Sequence, residues 1–131
     1  MPDVPVVLAV EDEELLQGMV HDALKDGGFD LVIAASGKDA LALLTSGGVK
    51  YAALVTDINL KDSISGWEVA RQAREIDPSF PVVYMTGASA DRWPSLGVPN
   101  SILLQKPFAP AQLVTAVSQL LNVAASPLSP L

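Results

Sequence analysis

The sequence predicts an α/β protein built on a parallel sheet. Short apolar runs alternate with helix-like segments from one end of the chain to the other. The apolar runs lack the in-out polar alternation of a half-exposed strand, as expected of strands covered on both faces. Four of them also end in side chains that chemistry can use. VPVVLAVED ends in Glu11 and Asp12, and YAALVTD in Asp57. PVVYMTG ends in Thr86 before Gly87, and SILLQKPF in Lys106 before Pro107.

The elements follow in order. Val4 to Val10 is the first strand. Glu13 to Lys25 has Leu15, Leu16, Met19, Val20, Ala23 and Leu24 at helical spacing, and Gly27-Gly28 ends it. Phe29 to Ala35 is the second strand. Ser36-Gly37-Lys38-Asp39 resembles a capping box that opens a helix to about Thr45, closed by Gly47-Gly48. Tyr51 to Thr56 is the third strand and delivers Asp57, followed by a polar loop from Ile58 to Ser65. Gly66 to Ile76 is helical with Val69, Ala70, Ala73 and Ile76 inward. Pro78 and Pro81 mark the turn into the fourth strand, Val82 to Met85. Pro94, Gly97 and Pro99 forbid a full helix between Gly87 and Asn100. A short turn near Ala88 to Trp93, then irregular chain, is expected there. Ile102 to Leu104 is the fifth strand. The last helix runs from about Pro110 to Val123, with Leu113, Val117, Leu120 and Leu121 inward, and Ala124 to Leu131 is expected to be a loose tail. One domain over residues 1–123 results. Right-handed crossovers and five strands fit a doubly wound, flavodoxin-like sheet of order 2-1-3-4-5 with a shortened fourth helix.

Composition narrows the function. Half of the 131 residues are hydrophobic, which suits a packed globule. Eight basic residues against fifteen acidic ones leave a net charge of -7, which argues against nucleic acid as the main partner. With no cysteine there is no disulfide framework and no thiolate metal site, in keeping with a reducing cytoplasm. No stretch approaches the roughly 20 apolar residues of a membrane span, and no signal peptide is expected.

If the strands are parallel, their carboxyl ends share one edge, where open α/β sheets bind ligands. Each residue there also has a plain structural reading. Asp12 can cap the next helix, Asp57 can cap a turn, and Thr86 can end a strand. As a group, Glu11, Asp12 and Asp57 bring three negative charges and Lys106 one positive charge, leaving -2. Two like charges ~4 Å apart repel by roughly 4 kcal/mol at an effective dielectric of ~20. A Mg²⁺ ion, which prefers oxygen ligands, would balance the cluster. His21 reads as solvent-facing and not as a phosphodonor, and Met19 and Met85 as structural.

From Val4 to Val123 the ordered set resembles the receiver domains of two-component response regulators. It is carried by the acidic pair in AVEDE, Asp57 in LVTDINL, the SGWEVA helix start, Thr86 in VVYMTGAS and Lys106 in LLQKPFAPAQL. The resemblance implies Asp57 as phosphoacceptor. It implies Mg²⁺ held by Asp12, Asp57 and the Asn59 backbone carbonyl, with Glu11 assisting. Thr86 and Lys106 would contact the phosphoryl oxygens. It further implies a domain that assists its own phosphorylation and is not otherwise an enzyme; a stand-alone receiver is expected, since little chain follows Val123. The donor would be a histidine kinase or a histidine phosphotransfer protein, docking near the first helix and the loop after Lys106. Output would pass to a downstream protein, or the chain would act as a phosphate relay or sink.

The sequence departs from the family pattern in three places. The Asp57 to Gly66 loop is one residue longer, with Lys61 where Pro is frequent. Leu103 stands where an aromatic switch residue is common. The Pro-rich Gly87 to Asn100 segment replaces much of the fourth helix. Signalling is therefore expected through a rebuilt surface around Trp93 and Pro94, or through the first helix, with packing of Trp93 under the loop as the other reading. Two rivals remain: a receiver-like interaction module that is never phosphorylated, and a small Asp-nucleophile phosphatase. The second lacks the acid it needs two residues after Asp57, where Asn59 stands.

Overall fold

The computed structural model describes residues 4–125. The elements are β1 (Val6–Val10), α1 (Glu14–Asp26), β2 (Asp30–Ala34), α2 (Gly37–Ser46), β3 (Ala53–Asp57) and α3 (Gly66–Ile76). Then come β4 (Val82–Thr86), a 3-10 turn (Ala90–Arg92), α4 (Trp93–Leu96), β5 (Ile102–Gln105) and α5 (Pro110–Ala125). The five strands are parallel in the order β2-β1-β3-β4-β5, which is the expected flavodoxin-like topology.

Alternate strand residues feed two core layers. Leu8, Val10, Leu54, Val82 and Tyr84 pack with Trp67, Ala70 and Ala73 of α3 on one face. Val7, Ala9, Val55, Val83 and Met85 pack with Val20 and Leu24 of α1 and Leu113 and Val117 of α5 on the other. Every residue of β3 and β4 is buried, which accounts for runs without polar alternation. Ser36 caps α2 as expected, its Oγ accepting from the Asp39 N–H at 3.0 Å.

Some inward positions were misplaced by periodicity alone. Leu15 is 89% exposed. At 3.6 residues per turn it lies roughly 130° round α1 from the mean direction of Val20, Ala23 and Leu24, so it cannot share their face. Ile76, the last residue of α3, is 53% exposed where the chain leaves the helix at Asp77. Between β4 and β5 no long helix forms: the 3-10 turn Ala90–Arg92 falls in the expected stretch, and a single α-helical turn, Trp93–Leu96, continues beyond it. Pro94 is tolerated because it occupies the first turn, where no intrahelical N–H donor is needed. Trp93 is half-buried against the α3-side core, and its Nε1–H donates to Ser101 Oγ at 2.9 Å. Packing under the loop is thus its place. Helix α5 continues through Ala125, two residues past the expected end, and the rest of the expected tail, 126–131, lies outside the described residues.

Candidate functional site at the carboxyl edge of the sheet

Strand register explains why distant residues meet. Val10 pairs with Thr56, Asp57 with Met85, and Thr86 with Gln105. Glu11, Asp57, Thr86 and Lys106 therefore stand at or one step past the ends of four strands. The backbone carries the chain into this position, with Glu11 N–H donating to Ala34 O at 3.0 Å and Lys106 N–H to Thr86 O at 2.8 Å. The Lys106–Pro107 peptide is cis.

The carboxylates converge. One oxygen from each of Glu11, Asp12 and Asp57 lies within 4.8 Å of the others. Glu11 is 1% and Asp57 5% exposed, while Asp12 is half-buried. Glu11 Oε2 accepts from the Glu13 N–H at 3.1 Å, and Asp12 Oδ2 accepts from the Lys61 N–H at 2.8 Å. Lys106 Nζ bridges the group, 3.3 Å from Glu11 Oε1 and 3.3 Å from Asp57 Oδ1. Burial pushes both acids above the usual carboxylate range. For Glu11 the neighbouring Asp57 charge adds to this; for Asp57 the Lys106 ammonium opposes it. Three hard oxygen donors around a charge deficit fit a divalent cation such as Mg²⁺, and the single ammonium leaves the deficit uncancelled.

The hydroxyl side of the site is arranged differently. Thr86 Oγ1 accepts from the N–H groups of Ala88 at 3.1 Å and Ser89 at 2.9 Å. Its own O–H donates to Asn59 Oδ1 at 3.3 Å, so it is turned to Asn59 and not to Asp57. The Asn59 amide closes the ring by donating to Ser89 Oγ at 3.1 Å. Ser89 is buried and was missed by the sequence reading. Only its place three residues after Thr86, within one turn, hinted at it. The Asn59 backbone also favours the charged form of Asp57, against the effect of burial.

Gly66 brings α3 against the nucleophile candidate. A Cβ there would lie 2.1 Å from the Asp57 carbonyl oxygen, so only glycine fits. A separate cavity of about 560 Å³, lined by Arg74, Pro81, Ile102 and Leu120, lies at the amino ends of β4 and β5 and shares no residue with the cluster. Among the described residues no helix is long and apolar enough to cross a membrane.

Comparison with known proteins gives a consistent result. The sequence model of the family described as "Response regulator receiver domain" matches residues 7–118. A response regulator receiver protein of Sinorhizobium medicae WSM419 shares 47% identity and superposes with a TM-score of 0.89, over 92% of this chain and 96% of that one. The transcriptional regulatory protein TrcR of Mycobacterium tuberculosis is 34% identical over 118 residues, 88% of this chain and 45% of its own length. The response regulator receiver protein CpdR of Brucella abortus is 29% identical over 120 residues, 90% of this chain and 98% of its own length. The chain spans about half the length of several transcriptional regulators that it matches.

Proposed function

Because the chain belongs to the response regulator receiver domain family, we propose that Asp57 accepts a phosphoryl group from a phosphohistidine. The donor is a histidine kinase or a histidine phosphotransfer protein. The observation that carries this reading is the convergence of Glu11, Asp12 and Lys106 on the buried Asp57 carboxylate.

In this reading Mg²⁺ would be held by Asp12, Asp57 and the Asn59 backbone carbonyl, with Glu11 assisting. When bound, it would neutralise charge on the phosphoryl oxygens, which together with positioning carries most of the catalysis of such transfers. A carboxylate oxygen of Asp57 attacks phosphorus, the P–N bond of the donor breaks, and its electron pair returns to the imidazole nitrogen. Lys106, already shared between Glu11 and Asp57, offers its ammonium to the incoming negative charge. Thr86 meets a phosphoryl oxygen only by releasing its hydrogen bond to Asn59. The added charge and acceptor oxygens then bias the surrounding loops, which a protein partner reads. In this reading the chain works in the reducing cytoplasm, in keeping with its lack of cysteine. The chain assists its own modification and turns over no separate substrate.

The test is incubation with Mg²⁺ and acetyl phosphate, followed by intact mass. The parent protein gains one phosphoryl group, which is lost in Asp57→Ala and in the presence of EDTA. No gain in the parent under these conditions would favour an interaction module that is never phosphorylated.

A further inference from the structure

The loop between β3 and α3 ties the candidate cation site to the start of α2 through two consecutive residues. Lys61 donates its backbone N–H to Asp12 Oδ2 at 2.8 Å. The next residue, Asp62, sends its carboxylate the other way. It accepts from the Gly37 N–H at 3.3 Å and from the Lys38 N–H at 3.0 Å. These are the first two N–H groups of α2, which otherwise have no intrahelical partner. The loop is seated there by shape as well, since a Cβ on Gly37 would lie 2.6 Å from the Ile64 carbonyl oxygen. Ser36 caps the third N–H of the helix, that of Asp39, and touches neither Lys61 nor Asp12 among the hydrogen bonds of the described residues.

We propose that Asp62 is a positioning residue for the cation site. By anchoring the loop on α2 it holds the Lys61 N–H where it orients the Asp12 carboxylate. The inference rests on the reading of Glu11, Asp12 and Asp57 as that site. Partners of this kind, hydrogen-bonded one step behind a ligand, typically change metal affinity 10–100-fold when removed. The effect through Asp62 is relayed by one further residue, so roughly tenfold is expected. The same link runs in reverse, so filling the site is felt at the amides of Gly37 and Lys38.

Mg²⁺ titration by calorimetry, with amide chemical shifts recorded in parallel, tests this on the full chain. Asp62→Ala is expected to weaken Mg²⁺ binding about tenfold, and Asp62→Asn, which keeps one acceptor, by less. Ser36→Ala removes a cap of the same helix and is expected to leave Mg²⁺ affinity unchanged. In the parent, the Lys61, Gly37 and Lys38 amides shift with one common dissociation constant. Equal Mg²⁺ affinity in the parent and the Asp62 variants, or equal loss in Ser36→Ala, would overturn the proposal and leave Asp62 a helix cap. If Asp62→Ala does not fold, Asp62→Asn and the parent's amide titration decide: silent Gly37 and Lys38 amides reject the link. A parent that binds no Mg²⁺ at all overturns the site reading itself, a separate outcome from these.

Discussion

Burial of Glu11 and Asp57 disfavours their charged forms, and for Glu11 the adjacent Asp57 charge adds to the effect. Both acids keep their protons in the folded chain at pH values where the unfolded chain has released them. Their contribution to stability is therefore present below the ordinary values of 4.5 and 3.8 and is lost as pH rises through the raised folded values. It follows that Asp57→Asn, in buffer with EDTA, should be more stable than the parent at pH 7. The expected change is a higher Tm for the variant at pH 7. The gap should close as pH falls toward 4, and melts at the two pH values check it; a variant less stable than the parent at pH 7 contradicts the charge argument. Lys106→Ala removes the ammonium shared by both acids. A loss of about 2–3 kcal/mol is expected, below the roughly 3–5 kcal/mol of a fully buried pair because the lysine side chain is 21% exposed. Denaturant unfolding measures it. At this scale the charged residues were legible because each ends an apolar run. Ser89 was not, since a serine in a turn carries no pattern and its partner Asn59 lies 30 residues away.

Two elements shape what surrounds the site. Helix α3 starts against Asp57 only because Gly66 lacks a side chain. Gly66→Ala is expected to destabilise by about 3 kcal/mol, as overpacking does, and to slow phosphoryl acceptance. Denaturant unfolding and intact mass after acetyl phosphate report the two effects. The segment from Gly87 to Asn100 is held from below by Tyr84, fully buried on β4 beside Trp67. Its hydroxyl accepts the Val98 N–H at 3.1 Å. Tyr84→Phe leaves that buried N–H unpaired, and a loss of about 1–3 kcal/mol is expected from chemical denaturation. The sequence excluded a long helix here through Pro94, Gly97 and Pro99. It did not show that an α-helical turn follows the 3-10 turn at Trp93–Leu96, because that depends on Trp93 lying over Gly97 and bonding to Ser101. Leu15 likewise shows that apolar spacing marks a helix more reliably than it marks the buried face.

For the whole molecule the topology was the most legible feature. Five apolar runs joined by helices leave little choice once crossovers are right-handed, and the observed order is β2-β1-β3-β4-β5. That order forces the four strand ends together, which is why the site could be read before any contact was known. What stayed hidden were contacts closing across loops, such as Asp62 to α2. The charge deficit at the shared edge has a global consequence. Mg²⁺ should raise the melting temperature of the parent, by about 2.7 kcal/mol of added stability at 100 times its Kd, and much less in Asp57→Asn. The most direct measurement of the central claim is residue mapping of the phosphoryl group. The protein is incubated with Mg²⁺ and acetyl phosphate, reduced with borohydride to trap an acyl phosphate as the alcohol, and digested for peptide mass analysis. Reduction is expected at Asp57 alone; label at another carboxylate, or none, would overturn its assignment as phosphoacceptor.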